Sequence, residues 1–233
     1  MKDLIYKFKL YWPRKFFSFA FAEIKNKMRG IFLNSFSQKW EDMEIAKLIW
    51  EKTDGIYVDV GANDPQRFSN NKKFYLKWWR GINIEPDPIN YQRFVEQRVD
   101  DTNLNIWIWQ NEGMMEFFRF DPDTLSTFSN EEADNYIKDW FTLRWKIQIQ
   151  IKPLSKVLEE NVNDKKIDFF SIDTEWFDMQ VLQSNNREKF SPTLICIESV
   201  SHSDGKNYEH EQEKFLREKW YTKVYDNGLN SIY

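Results

Sequence analysis

From about residue 55 onward, short runs rich in β-branched and aromatic residues alternate with helical stretches. That alternation predicts βαβ units and therefore a parallel sheet. The first expected strand is Ile56-Tyr57-Val58-Asp59-Val60, bounded by Gly55 and Gly61. A helical stretch over roughly 68–79 leads to a second strand, Gly81-Ile82-Asn83-Ile84-Glu85. Pro86 and Pro88 stop that strand and open a helix through about Gln97. A third strand is expected over Leu104–Trp109, turned by Asn111-Glu112-Gly113 into a hairpin partner, Met114–Phe120.

The second half continues the pattern. A helix over 130–140 precedes Ile147-Gln148-Ile149-Gln150-Ile151, whose apolar–polar alternation predicts a half-exposed strand. Helices over about 153–160, 175–184 and 208–219 alternate with strands Ile167–Ile172 and Thr193–Glu198. The chain ends with Tyr221–Tyr225 and Leu229–Tyr233 around Asp226-Asn227-Gly228, a strong hairpin turn. The fold expected is α/β: a mostly parallel, doubly wound sheet closed by a C-terminal antiparallel hairpin.

With 233 residues the chain accommodates one α/β domain over 35–233 and a short segment over 1–34. The net charge of −4 gives no reason to expect nucleic acid as a partner. One cysteine, Cys196, excludes an internal disulfide and fits a reducing, cytoplasmic setting. With only His202 and His210 beside it, no metal site is expected. Residues 1–29 carry eight Lys and Arg against Asp3 and Glu23, interleaved with aromatic and aliphatic residues. Two readings stay open for this basic amphipathic helix: peripheral contact with an anionic membrane, or packing on the core with its lysines in water.

Three segments carry candidate chemistry. In Val58-Asp59-Val60-Gly61-Ala62-Asn63-Asp64-Pro65 a buried strand ends in an acid and a glycine, where doubly wound sheets place their ligands. Glu85, closing the second strand before Pro86, is placed to accept both hydroxyls of a ribose. The stretch Ile167–Glu175 delivers Asp173 and Glu175 to the same rim. Those two carboxylates suit a general base or a grip on substrate hydroxyls, and equally a helix cap. A divalent cation held there would serve the same end by lowering the acceptor's pKa.

Together these segments resemble the FkbM family of methyltransferases, and the closing hairpin matches the Rossmann-like class I methyltransferase fold. Ser37–Asp42, Leu125–Ser129 and Leu194–Glu198 support the resemblance, which spans roughly residues 35–233. It implies an S-adenosylmethionine-dependent O-methyltransferase acting on a sugar, glycan or similar small acceptor. By the resemblance Asp59, Gly61, Ala62 and Asn63 would line the methionine side of S-adenosylmethionine, and Glu85 with Pro86 its ribose. Asp173 and Glu175 would face the acceptor, with 110–150 and 199–210 as specificity segments. An NAD(P)-dependent oxidoreductase would share the two opening motifs but call for a richer glycine loop and a Tyr–Lys proton donor. A catalytically inactive scaffold or membrane-docking module would need no nucleoside at all.

The chain departs from the family pattern in one direction. It has 11 Trp and 7 Gly, where ordinary usage gives roughly 16 Gly. Trp40, Trp78 and Trp176 stand where the family has glycine, and Trp107, Trp109, Trp145 and Trp220 where a small residue is easier to fit. Two readings are open: a family member that is Trp-rich, or UGA codons meant as glycine. The second predicts indoles that overpack their surroundings, at ~1–3 kcal/mol per buried site.

Overall fold

The computed structural model describes residues 28, 33–50, 52–162, 165–174, 177–199 and 208–233. Glu175, Trp176 and His202 therefore lie outside the described residues, as does nearly all of the basic segment 1–34.

Seven strands form the central sheet: β1 (Ile56–Val60), β2 (Arg80–Ile84), β3 (Thr102–Leu104), β7 (Phe169–Ile172), β8 (Leu194–Glu198), β9 (Tyr225–Asp226) and β10 (Asn230–Ile232). Their order is β3-β2-β1-β7-β8-β10-β9. The first five are parallel, and β10 runs antiparallel to both β8 and β9. This is a Rossmann-like, doubly wound sheet with the expected closing hairpin.

Alternation along the buried strands supplies both faces of the sheet. Val58, Val60, Phe170, Ile172, Ile195 and Ile197 face one layer, where Leu154, Val157 and Leu158 of α5 (Leu154–Asn161) and Val181 and Leu182 of α6 (Asp178–Gln183) cover them. Tyr57, Phe169, Leu194 and Cys196 face the other, under Ile45 of α1 (Glu41–Leu48), Phe74 of α2 (Lys72–Tyr75) and Trp79. The remaining helices are α3 (Pro88–Gln97), α4 (Asn130–Lys138) and α7 (Tyr208–Glu218). No described helix is long and apolar enough to cross a membrane.

Three local expectations need correction. The stretch 104–109 is not one strand: β3 ends at Leu104 in the central sheet, while β4 (Trp107–Ile108) belongs to a second sheet. Nor do the segments flanking Asn111–Gly113 pair with each other. Both neighbour β6 (Thr142–Lys152), which runs parallel to β4 and antiparallel to β5 (Gly113–Asp121). The eleven extended residues of β6 offer β5 a partner along its whole length, which a two-residue β4 does not. The helix expected over 68–79 shrinks to α2, because Phe68 has φ +56° and Ser69 and Asn71 are held in a buried polar network.

The tryptophans separate into two groups. Trp78, Trp140 and Trp220 have φ of +69°, +67° and +70° and follow the ends of α2, α4 and α7. At each, the tryptophan N–H donates to the carbonyl three residues back and the next N–H to the carbonyl five residues before it: Trp79 to Phe74, Phe141 to Tyr136, Tyr221 to Leu216. These are Schellman motifs, whose left-handed position glycine normally fills. Trp40 is also left-handed, φ +76°, at the N-cap of α1. These rings are exposed, so the expected overpacking is replaced by backbone strain. Trp107, Trp109 and Trp145 lie outside the left-handed region. Trp107 stacks on Phe128, Trp109 meets Phe177 edge-on, and Arg119 lies over Trp145.

Candidate functional site

The direction of chain crossover reverses between β1 and β7, and ligands of doubly wound sheets bind at such a switch point. A cavity of about 280 Å³ opens there. One wall is the rim of the central sheet: Gly61, Asn63, Glu85, Pro86, Asp87, Asn90 and Asp173. The other comes from the second sheet and its connections, with Trp107, Phe117, Asp123, Thr127, Phe128 and Tyr136.

Glu85 organises the first wall. Its Oε2 accepts the Asn63 N–H (2.7 Å) and its Oε1 the Asp87 N–H (2.8 Å), tying the β1 and β2 loops together. A carboxylate has about four acceptor positions, so room for further donors remains on the cavity side. Burial pushes its pKa up to about 8, against the opposing pull of those two backbone donors. Asn63 reaches this position through a left-handed backbone, φ +54°, which asparagine tolerates better than most residues.

Gly61 has φ +78°, and its N–H donates to the Ile84 carbonyl at 3.1 Å. A Cβ added here would lie 2.0 Å from the Asp173 carbonyl oxygen. The glycine borders the cavity, but the space its side chain would need is taken by β7's own continuation rather than by a ligand. Asp173 in turn donates its N–H to the Val60 carbonyl (3.0 Å), so the two strand ends are pinned to each other. Asp173 is exposed and lines the cavity. Asp178, near the start of α6, accepts the Thr174 N–H (2.9 Å) and its hydroxyl, which fixes the turn just beyond.

Asp59 and Ala62 do not line the cavity. Asp59 is buried and accepts the Asn71 amide at 2.8 Å. The same Asn71 amide reaches Asn83, and its carbonyl accepts from Arg98 (3.0 Å). Burial raises the Asp59 pKa to about 6, opposed by the Ser171 hydroxyl and by Arg98. This network joins β1, β2 and the chain flanking α2 behind the rim, so Asp59 reaches the cavity only through the backbone it holds.

Asp87, Asn90 and Asp123 also line the cavity, though none belongs to the candidate residues of the sequence motifs. Asp87 caps α3 by accepting the Ile89 N–H, and pairs with Arg119 of β5 at 2.9 Å. Asn90, in the first turn of α3, is 3% exposed. Asp123 sits on a 3₁₀ turn, Asp123–Leu125, after β5. The signal available was its place two residues before the family-like Leu125–Ser129. Of the aromatics in the expected specificity segment, Phe128 and Tyr136 border the cavity, while Phe120 packs against Tyr136 and Phe141 against the same ring.

Comparison with known proteins fits this geometry. The pattern of the Methyltransferase FkbM domain matches residues 59–222, more than half of the chain. The chain belongs to the FkbM methyltransferase family. The FkbM domain thus begins at Asp59, on β1, and takes in both cavity walls. No protein of curated function matches the sequence. A solved methyltransferase FkbM from Methylobacillus flagellatus KT is 14% identical, with a TM-score of 0.43 over 70% of this chain. The chain spans 38% of that protein's length. Among the described residues, no group of three or more His, Cys, Asp or Glu is arranged to hold a metal ion.

Proposed function

We propose that this FkbM domain transfers a methyl group from S-adenosylmethionine to a hydroxyl of a sugar or similar small acceptor. The observation that carries this reading is Glu85: a carboxylate at the end of β2, 6% exposed, with both oxygens fixed by backbone N–H groups and its cavity side open. Two ribose hydroxyls are the donors such a group fits. The unpartnered Oδ1 of Asn90 in the same wall adds an acceptor for a polar ligand.

S-adenosylmethionine, when bound, supplies an electrophilic methyl group on a sulfonium. What remains for the protein is alignment and removal of one proton. Alignment of two bound reactants supplies up to ~7–11 kcal/mol of barrier reduction. Gly61 and Asp173 fix the rim from which both partners would be held. The Asp173 carboxylate, exposed at the cavity, is the candidate to take the hydroxyl proton, an assistance of about 10²–10⁴-fold. Phe128 and Tyr136 offer faces on which a sugar ring would rest.

The test is calorimetric titration of the full chain with S-adenosylmethionine and, separately, NADH. S-adenosylmethionine is expected to bind and NADH not, and Glu85→Ala is expected to weaken binding by about 100-fold, as for loss of two hydrogen bonds to a charged acceptor. A folded protein that binds neither nucleoside would end the enzymatic reading.

A further inference from the structure

Among the described residues, four acidic ones line the cavity, Glu85, Asp87, Asp123 and Asp173, and no Lys, Arg or His does. They are not equivalent. Asp87 is compensated by Arg119 at 2.9 Å and spends an oxygen on the α3 cap. Glu85 is buried and turned to two backbone donors, and carries its proton near neutrality. Among the described residues no cation lies against Asp123, and its carboxylate meets only the Asn90 amide, at 3.5 Å, the outer edge of a hydrogen bond. Asn90 is itself loosely held, with 3.4 Å to the Asn63 side chain and no partner for its Oδ1 although it is buried. Such an orphan acceptor beside an uncompensated carboxylate is costly unless a ligand completes it.

We propose that Asp123 is a specificity-determining residue that makes this cavity prefer a cationic sulfonium ligand to the neutral thioether left after methyl transfer. The inference rests on the methyl-transfer reading above. In that reaction the carbon–sulfur bond breaks as the carbon–oxygen bond forms, the sulfur keeps the electron pair, and the hydroxyl proton leaves to a base. The reactant's positive charge on sulfur is gone from the product. A wall bearing a carboxylate without a counter-ion attracts the first and not the second. S-adenosylhomocysteine would then leave readily, and the cavity would turn away anionic acceptors such as sugar phosphates.

Titration calorimetry of the full chain with three probes tests this: S-adenosylmethionine, sinefungin (an amine in place of the sulfonium) and S-adenosylhomocysteine. The two cations are expected to bind about tenfold more tightly than S-adenosylhomocysteine. In Asp123→Asn that gap is expected to close to within about twofold, and in Asp123→Glu to persist. A thermal scan of each variant checks folding, and Asp123→Ser serves if the asparagine variant does not fold. S-adenosylhomocysteine binding as tightly as S-adenosylmethionine in the unaltered protein overturns the proposal, as does a gap that survives loss of the carboxylate. Failure of all three probes to bind is a different result: it removes the cofactor reading, and this inference with it.

Discussion

Replacing Trp78, Trp140 and Trp220 together by glycine is expected to stabilise the protein. Each closes a Schellman motif with a left-handed backbone, and holding an L-residue there costs about 1–2 kcal/mol. Against that gain stands the extra chain entropy that glycine loses on folding, about 0.5–1 kcal/mol per site. Little packing is lost, because the side chains are 78%, 83% and 96% exposed. The contact of Arg80 with the Trp78 ring, 5.7 Å to its centroid, is worth at most ~0.5–1 kcal/mol at such a surface site. The net is roughly 0.5–1 kcal/mol per site and 1.5–3 kcal/mol for the triple variant, if distant sites add. For a chain of this size that raises Tm by roughly 3–12 °C. Differential scanning calorimetry reads it directly. Trp50→Gly is the control: the ring is 77% exposed but the residue is not left-handed, so no gain is expected. A triple variant melting at or below the parent temperature, or a gain as large from Trp50→Gly, would refute the reasoning. The same argument predicts UGA at codons 40, 78, 140 and 220 of the source gene, and UGG there would dispose of the codon explanation.

Other consequences follow from the site. Gly61→Ala combines a positive φ with a Cβ 2.0 Å from a backbone oxygen, and is expected to cost roughly 2–5 kcal/mol in chemical denaturation; a variant within 1 kcal/mol of the parent, roughly the smallest of these strain terms, would contradict it. Asp173→Asn is expected to leave the Kd for S-adenosylmethionine within about threefold while lowering kcat by about 10²–10⁴-fold on any acceptor the parent methylates, and an unchanged kcat would remove Asp173 as the base. The raised pKa of Glu85 gives a pH signature. The free carboxyl holds its proton below about 8, whereas a ribose favours the ionised form, so binding releases a proton. Affinity for S-adenosylmethionine should rise about tenfold per unit as pH climbs toward 8, then level off; a flat profile from pH 6 to 9 would mean that Glu85 does not change its charge on binding. The same shift makes the unliganded fold lose stability as pH rises from the ordinary glutamate value of 4.5 through about 8, with Asp59 adding its part between 3.8 and about 6.

Much of this fold was legible because its central strands are buried on both faces. Ile56–Val60, Ile167–Ile172 and Thr193–Glu198 are apolar runs bounded by breakers, and each appears as a parallel strand within two residues of its expected limits. The second sheet was harder. Its strands are half-exposed, so the side-chain pattern left partners unspecified, and the turn signal at Asn111–Gly113 pointed to a hairpin that a longer competitor, β6, replaces. The candidate site divides the same way. Gly61, Asn63, Glu85, Pro86 and Asp173 come together because a doubly wound sheet gathers its strand ends. Asp59 faces away because strand residues two apart share a face, and its own face carries Tyr57's layer neighbours and the Asn71 network. For Asp123 the sequence offers only its nearness to Leu125–Ser129, because its place depends on how the second sheet folds over the rim. Glycine-like backbone at Trp40, Trp78 and Trp220 agreed with the composition, whereas Trp140 needed the φ angles to be seen.

The cavity's two walls come from separate sheets, and this bears on how such a protein diversifies. Residues of the central rim are bound to one another through Glu85 and through the Gly61–Asp173 contact, so a change in any one propagates to the rest. Among the described residues, the opposite wall meets that rim through individual side-chain links such as Arg119 to Asp87 and Asn90 to Asp123. Selection is therefore free to rework the second sheet, altering what the cavity admits, while the central rim stays under a constraint set by its own backbone contacts.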